Sequence, residues 1–356
     1  MNIRKIAELA GVSVSTVSRV LNRHPHVSES ARSRVLQIIE ETDYSPNLNA
    51  VQLKVGRTRV IGIVTPTLNH YYLQLIKGAA NRGKGYGYQV LIHQTEEQPE
   101  QEMQALELLR RKKVDALMIL RRATPWADIA GYLKYGPIVT CEPMQNGHVP
   151  AVFLDHYEGF RLGLEHLIRR GRCKIACVVG RGGSRNSKRR LDAYREVLEN
   201  RGLPAREEWI FRDVYTAADG RRAADRLLAL PERPDAVMTA NDLVAAGLLA
   251  EIRERGLRAP EDLAVVGFES DESGIADIVG LTNVTNPLDA VGRKMFDTLY
   301  ARLKESGHEA GKPSGGKSKT PAADSVKAVD GGSAETDEKS GASPALHFEL
   351  RVRSST

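Results

Sequence analysis

Along the first forty positions, apolar residues recur at three- and four-residue spacing. Ile6, Leu9 and Ala10 follow Asn2, a suitable N-cap, and Gly11 stands where a left-handed residue would end a helix. Ser13 predicts the cap of a second helix through Leu21, with Val17, Val20 and Leu21 inward and Val14, Ser15, Ser18 and Arg19 outward. A third helix after Ser28 is expected to bury Ala31, Val35, Leu36 and Ile39. Together these make a small all-α helix-turn-helix unit over residues 1–45.

From Arg59 onward the pattern changes to short apolar runs separated by amphipathic stretches. The runs are Val60 to Val64, Tyr88 to Ile92, Val114 to Leu120, Ile138 to Cys141 and Ala151 to Asp155, then Cys173 to Val179, Asp235 to Ala240 and Asp262 to Phe268. Continuous apolar strands alternating with helices predict parallel sheets covered on both faces. Eight of them exceed one small sheet. Residues 304–344 are rich in Gly, Ser, Ala, Lys and acidic residues, with no aromatic and no periodicity, and predict a disordered insertion. ALHFELRVR, Ala345 to Arg353, then alternates like a closing strand.

The 356 residues suffice for two or three domains. No apolar run approaches a membrane span, and Arg4, Lys5 and Glu8 interrupt the N-terminus, so a secretory signal is not expected and a cytoplasmic location is. Cys141, Cys173 and Cys177 form no CxxC pair; reduced, buried packing residues are expected rather than a disulfide framework or zinc site. The net charge of +6 is uneven, since Met1 to Ile39 alone carries +4. Such a patch suits a phosphate backbone, although a solvated helical surface carries the same signal.

At AGVSVSTVSRVLN, Ala10 to Asn22, and HVSESARSRVLQIIEETDYSPN, His26 to Asn47, the chain resembles the lactose-repressor (LacI/GalR) family of bacterial transcription regulators. The resemblance implies that the second helix enters the major groove, with Val14, Ser15 and Arg19 reading bases. Thr16, Ser18 and Asn22 are then assigned to phosphates, which position the domain without specifying sequence. It implies further that residues 46–57 form a hinge helix and linker, with Ala50 and the wedge Leu53 in the minor groove. Val51 departs from the family's usual polar or basic residue there.

The resemblance continues through ANDLVAAGLLAEIRERGLRAPEDLAVVGFES and LTNVTNPLDAVGRKM, and implies a two-lobed α/β core of the periplasmic-binding-protein type I, Rossmann-like class. Its expected lobes are 58–155 with about 285–303, and 156–284 with about 345–353. Ligands of parallel sheets sit at the carboxyl ends of strands. That rule and the resemblance together select Asn69, Tyr71, Tyr72, Asp155, Arg190, Tyr215, Asn241, Phe268 and Glu269 as effector-binding candidates. Asp155 and Asn241 also suit helix caps, and Glu269 replaces the family's usual aspartate. Carboxylates, an amide and a guanidinium around aromatic rings favour a sugar, while the same arginine suits a carboxylate, phosphate or purine edge.

Gly83-x-Gly85-x-Gly87 precedes a strand rather than following one, and Gly180-Arg-Gly182-Gly183 lacks the Gly-Lys-Ser order of a P-loop. No GxSxG, HExxH or metal-like cluster is present in the sequence, so neither a catalytic residue, a metal nor a cofactor is expected. The sequence thus predicts a homodimeric, effector-controlled repressor of a pseudo-palindromic double-stranded operator. Its rivals are a small-molecule binding protein without DNA regulation and an enzyme acting on a sugar or nucleotide.

Overall fold

The computed structural model describes residues 1–22, 24–44, 56–143, 149–269, 274–305 and 346–356. The expected hinge residues Ala50 and Leu53 lie outside the described residues, as does the expected insertion from residue 306 onward.

Helices α1 (Ile3–Ala10), α2 (Val14–Leu21) and α3 (Glu29–Glu41) form the N-terminal unit. Each starts as its cap dictates. Asn2, Ser13 and Ser28 accept from the backbone N–H groups of Lys5, Thr16 and Ala31, and Gly11 ends α1 at φ 60°. Ile6, Ala7, Ala10, Val17, Val20 and Val35 form its core. Leu36, expected inside, is half exposed. The buried stripe of α3 runs 31, 35, 38 and 39, and Leu36 stands one residue's rotation away from it.

The first lobe holds a parallel sheet in the order β2-β1-β3-β4, from β1 (Val60–Thr65), β2 (Gln89–Gln94), β3 (Ala116–Ile119) and β4 (Ile138–Thr140). Helices α4 (His70–Lys84), α5 (Pro99–Arg110) and α6 (Trp126–Ala130) connect its strands. The second lobe has six strands in the order β10-β9-β8-β7-β5-β6. These are β5 (Ile175–Val178), β6 (Ile210–Phe211), β7 (Ala236–Thr239), β8 (Ala264–Glu269), β9 (Thr282–Thr285) and β10 (Glu349–Arg351). Only β10 runs antiparallel, against β9. Around them lie α7 (His156–Arg169), α8 (Arg185–Glu199), α9 (Ala217–Leu228), α10 (Asp242–Glu254) and α11 (Ile275–Val279). Helix α12 (Leu288–Glu305) returns to the first lobe and packs along α4.

The expected strand at Ala151 to Asp155 is not one. Ala151 makes a single bridge to Thr140, and the chain then crosses between lobes with no strand beside it. Strands β6 and β9 were not foreseen; β6 is two residues long, and β9 reads Thr-Asn-Val-Thr although all four residues are buried. The cysteines also divide. Cys177 is core, Cys141 is half-buried and Cys173 is exposed.

The lobes repeat two devices. Asp115, just before β3, accepts from the N–H groups of Thr58 and Arg59 at 2.8 and 2.9 Å, which fixes the start of β1. Asp235, just before β7, accepts from those of Cys173 and Lys174 at 3.0 Å each, ahead of β5. Paired glycines bring helices into backbone contact in each lobe. A Cβ at Gly78 would meet the Asp289 carbonyl oxygen at 2.0 Å and one at Gly292 that of Leu75 at 2.1 Å, with Gly220 and Gly247 doing the same between α9 and α10. Gly292→Ala gains about 1 kcal/mol of helix propensity, but the methyl group meets backbone that cannot rotate away, and such overpacking costs roughly 1–3 kcal/mol. The substitution should lower the melting midpoint by several degrees in calorimetry. Gly183→Ala, with no atom within 4 Å of the added carbon, should leave it unchanged.

Candidate DNA interface and ligand cleft

The outer face of α2 begins with a cluster of hydroxyls. Ser13 Oγ lies 2.7 Å from Ser15 Oγ and 2.8 Å from Thr16 Oγ1. Val14 and Arg19 are exposed on the same helix. Asn22 follows it and turns back, its Nδ2 donating to the Ser18 carbonyl at 2.8 Å. Lys5 pairs with Glu8 and Arg32 with Glu29. Arg4, Arg19 and Arg34 make no ion pair among the described residues. A helix that offers an apolar group, several hydroxyls and an unneutralised guanidinium on one exposed face is suited to a groove edge and its phosphates.

A cavity opens between the lobes. The first lobe contributes Tyr71 and Tyr72 from the first turn of α4, Leu120 and Arg121 after β3, and Cys141 and Glu142 after β4. From the second come Asp155, His156, Arg185, Asn186 and Arg189 in the first turns of α7 and α8. Asn286 and Leu288 line it where the chain crosses back. The strand-end rule therefore holds for the first lobe, whereas helix starts supply the wall in the second.

Asn69 caps α4 through the Tyr72 N–H at 3.2 Å, and the rings of Tyr71 and Tyr72 meet edge to face with centroids 5.2 Å apart. Burial raises both phenols well above their ordinary range, so they stay protonated. Asp155 caps α7 through the Tyr157 N–H and takes both Nε and Nη2 of Arg189, at 2.9 and 2.6 Å. Hydrogen bonding from Arg189 holds the Asp155 carboxyl below the usual carboxylate range. Burial pushes the Glu142 acid up against the opposing pull of Arg122, 3.3 Å away. Burial likewise raises the Cys141 thiol to about 12, and this thiol donates to the Leu120 carbonyl.

The remaining candidates do not line this cavity. Arg190 is buried behind it, donating to His156 Nδ1 at 3.1 Å and lying over the rings of Phe160 and Phe268. Its neighbour Arg189, one residue around the helix, reaches Asp155 instead. Phe268 is in the core against Phe160 and Phe348. Burial, then the Arg190 charge, pull the His156 pKa well down and leave that ring neutral. Tyr215 is half exposed, with its hydroxyl on Asp213, and Asn241 caps α10 while donating to the Tyr215 carbonyl at 3.4 Å. Glu269 ends β8, but its side chain lies outside the described residues.

Sequence reasoning missed Arg121, Glu142, Arg185, Asn186, Arg189 and Asn286. Arg121 and Glu142 directly follow predicted strands, so the strand-end rule applied to every strand would have found them. It also missed a tie across the cleft. Glu97, in the loop after β2, pairs with Arg121 of its own lobe at 3.1 Å and with Arg181 of the other. Glu96 and Glu97 both hold left-handed backbone, φ 50° and 60°, a costly conformation for side-chain-bearing residues that aims this carboxylate across the gap.

A helix-turn-helix unit joined to a two-lobed α/β core with a cleft defines a class of ligand-sensing transcription regulators. The family model described as "Bacterial regulatory proteins, lacI family" matches residues 2–47, and that of "Periplasmic binding proteins and sugar binding domain of LacI family" matches residues 58–320. The chain belongs to the LacI family. It is 36% identical over 304 residues to the uncharacterised HTH-type transcriptional regulator YkvZ of Bacillus subtilis (strain 168), covering 85% of this chain and 94% of that one. To the transcriptional repressor PurR of Aliivibrio salmonicida (strain LFI1238) it is 28% identical, covering 86% and 93%. The Lac repressor bound to ONPG in the repressed state matches with a TM-score of 0.76 at 27% identity, over 87% of this chain and 94% of that one. These relatives are regulators rather than enzymes. No helix among the described residues is long and apolar enough to cross a membrane.

The depressed Asp155 pKa has a consequence for stability. A carboxylate held below its unfolded value near 3.9 stabilises the fold above that pH and loses its contribution as pH falls through the folded value. Asp155→Asn keeps the cap and removes the charge. The variant should melt below wild type at pH 7, and the two midpoints should converge on acidification toward pH 3 in a thermal-melt series.

Proposed function

We propose that this protein is a cytoplasmic, homodimeric repressor that binds a pseudo-palindromic operator and responds to a small molecule, with a sugar the favoured class, in the cleft between its lobes. The division of labour follows the sequence boundaries: residues 1–45 bind DNA, 46–57 link, 58–155 and 156–284 form the lobes, and 285–303 and 345–353 complete them. The outer face of α2 supports this most directly, because Val14, Ser15 and Arg19 are exposed together there and Arg19 has no ion pair among the described residues. Thr16, Ser18 and Asn22 are assigned to phosphates, and Ala50 and Leu53 to the minor groove. A repressor role is supported by PurR and the Lac repressor, and a sugar by the family's description.

Arg19→Ala should remove a base contact worth roughly 1–3 kcal/mol, so binding to operator weakens more than binding to random DNA. Competition gel shifts on genomic fragments measure this. An equal loss on both DNAs would reduce Arg19 to a phosphate contact.

Dimerisation is supported by the free edge of the first sheet. Strand β2 presents Leu91 and Ile92, 37% and 42% exposed, with Leu73 of α4 43% exposed. Adjacent strand residues point to opposite faces, so this edge exposes an apolar side chain on each face and a second copy of the chain would bury both. Ile92→Glu should give a monomer in sedimentation and weaken operator binding at least about tenfold, because one headpiece then reads one half-site. A variant still dimeric at micromolar concentration would place the interface elsewhere.

A further inference from the structure

The cleft carries more positive charge than its carboxylates neutralise. Arg121, Arg185 and Arg189 line it, with Arg122 and Arg181 immediately outside. Four carboxylates face these five guanidinium groups, and each is already engaged, Asp192 by Arg189 at 3.5 Å. Asp155 is bound at two points by Arg189, Glu142 lies beside Arg122, and Glu97 is shared by Arg121 and Arg181. Arg185 has no ion pair among the described residues; it lies 5.8 Å from the centre of the Phe153 ring, and its charge also acts on Asp155. It is the first residue of α8, so the positive end of that helix adds to its field.

Arg121 Nε lies 3.1 Å from a Glu97 carboxylate oxygen, so this guanidinium is shared between the cavity and a rim carboxylate. Asn286 is 3% exposed, lines the cavity, and has a buried Oδ1 with no partner. A buried acceptor left open is costly, and a ligand that supplies the missing donor removes that cost. That acceptor calls for a hydroxyl, while Arg185, a cation with no ion pair among the described residues, calls for an anionic oxygen.

Resting on the reading of this cleft as the effector site, we propose that the effector is anionic: a polyhydroxylated molecule bearing a phosphate or carboxylate, with the oxyanion held by Arg185 and Arg121 and a hydroxyl donating to Asn286. The Tyr71 and Tyr72 rings pack against its carbon skeleton. A neutral sugar satisfies Asn286 but leaves Arg185 unpaired, whereas charge-assisted bonds to a guanidinium are about twice as strong as neutral ones. The oxyanion also competes with Glu97 for Arg121, so its arrival bears on the tie between lobes.

The test uses the full-length chain and four probes in titration calorimetry: glucose, glucose 6-phosphate, glucuronate and inorganic phosphate. Glucose 6-phosphate or glucuronate should bind at least about tenfold more tightly than glucose, about 1.4 kcal/mol. The stronger of the two identifies phosphate or carboxylate as the anion. Inorganic phosphate at tens of millimolar should raise the melting midpoint over chloride at equal ionic strength, and Arg185→Ala should abolish both effects while remaining folded by melting. Glucose binding as well as both acids, in a manner lost in Tyr72→Ala, would overturn the anionic class and leave the effector cleft standing. Anion binding undiminished in Arg185→Ala would put the anion elsewhere, such as the basic headpiece, and would also overturn it. No response to any probe, inorganic phosphate included, would remove the anion seat and the cleft reading together.

Discussion

Neither lobe is made from one continuous stretch of chain, and the cleft lies where the chain crosses. It leaves the first lobe through Leu154 and Asp155, returns at Asn286 into α12, and closes the second lobe with β10. Leu154 packs against both cores, Leu346 against the first and Phe348 within the second. Asp155 and Asn286 are therefore crossing residues and cavity walls at once. Any molecule that binds them acts on the backbone segments about which the lobes can move. A ligand shifts such an equilibrium only by its differential affinity for the two arrangements, and contacts drawn from both lobes are how that difference arises.

The interiors of the lobes leave little room for other kinds of response. Backbone-to-backbone helix contacts at Gly78, Gly292, Gly220 and Gly247, and carboxylates clamping the strand starts at Asp115 and Asp235, make each lobe a rigid unit. The adjustable contacts are polar and lie between the units. Glu97 reaches over the gap to Arg181 from a loop held in left-handed backbone, and Tyr71 reaches Asn186 and the His156 ring across the same gap. Ion pairs of this exposure are individually weak, of order 1 kcal/mol or less, which suits an element that a ligand must be able to outweigh.

The headpiece was legible almost residue by residue, because caps and a 3.6-residue period are local signals: Asn2, Gly11, Ser13 and Ser28 each act as their chemistry dictates. Leu36 misled because one turn cannot distinguish a stripe's centre from its margin. The parallel strands were legible from their apolar runs, while β9 was not, since its threonines and asparagine are buried through hydrogen bonds made to distant residues, such as Asn283 to Asp242 at 2.7 Å. Within the cleft, Tyr71 and Tyr72 follow from the end of β1, whereas Asp155 was found through a strand that does not form and stands instead as the cap of α7. Arg190 and Arg189 are neighbours in sequence and 100° apart around α8, a difference settled only by the packing of Arg190 onto Phe160 and Phe268.

The central claim is that the arrangement of the two lobes governs the affinity of the headpiece for DNA. It is tested without knowledge of the effector by joining the rims. Glu97→Cys and Arg181→Cys, with exposed Cys173 and half-buried Cys141 replaced by Ser, give two accessible thiols for a reducible bifunctional cross-linker, while Cys177 is in the core. Affinity for the genomic fragments the protein selects is then measured on one sample before and after reduction. A severalfold or larger change in specific affinity, with binding to random DNA unaltered, is the result predicted here. Identical specific affinity in the cross-linked and reduced states would contradict the account.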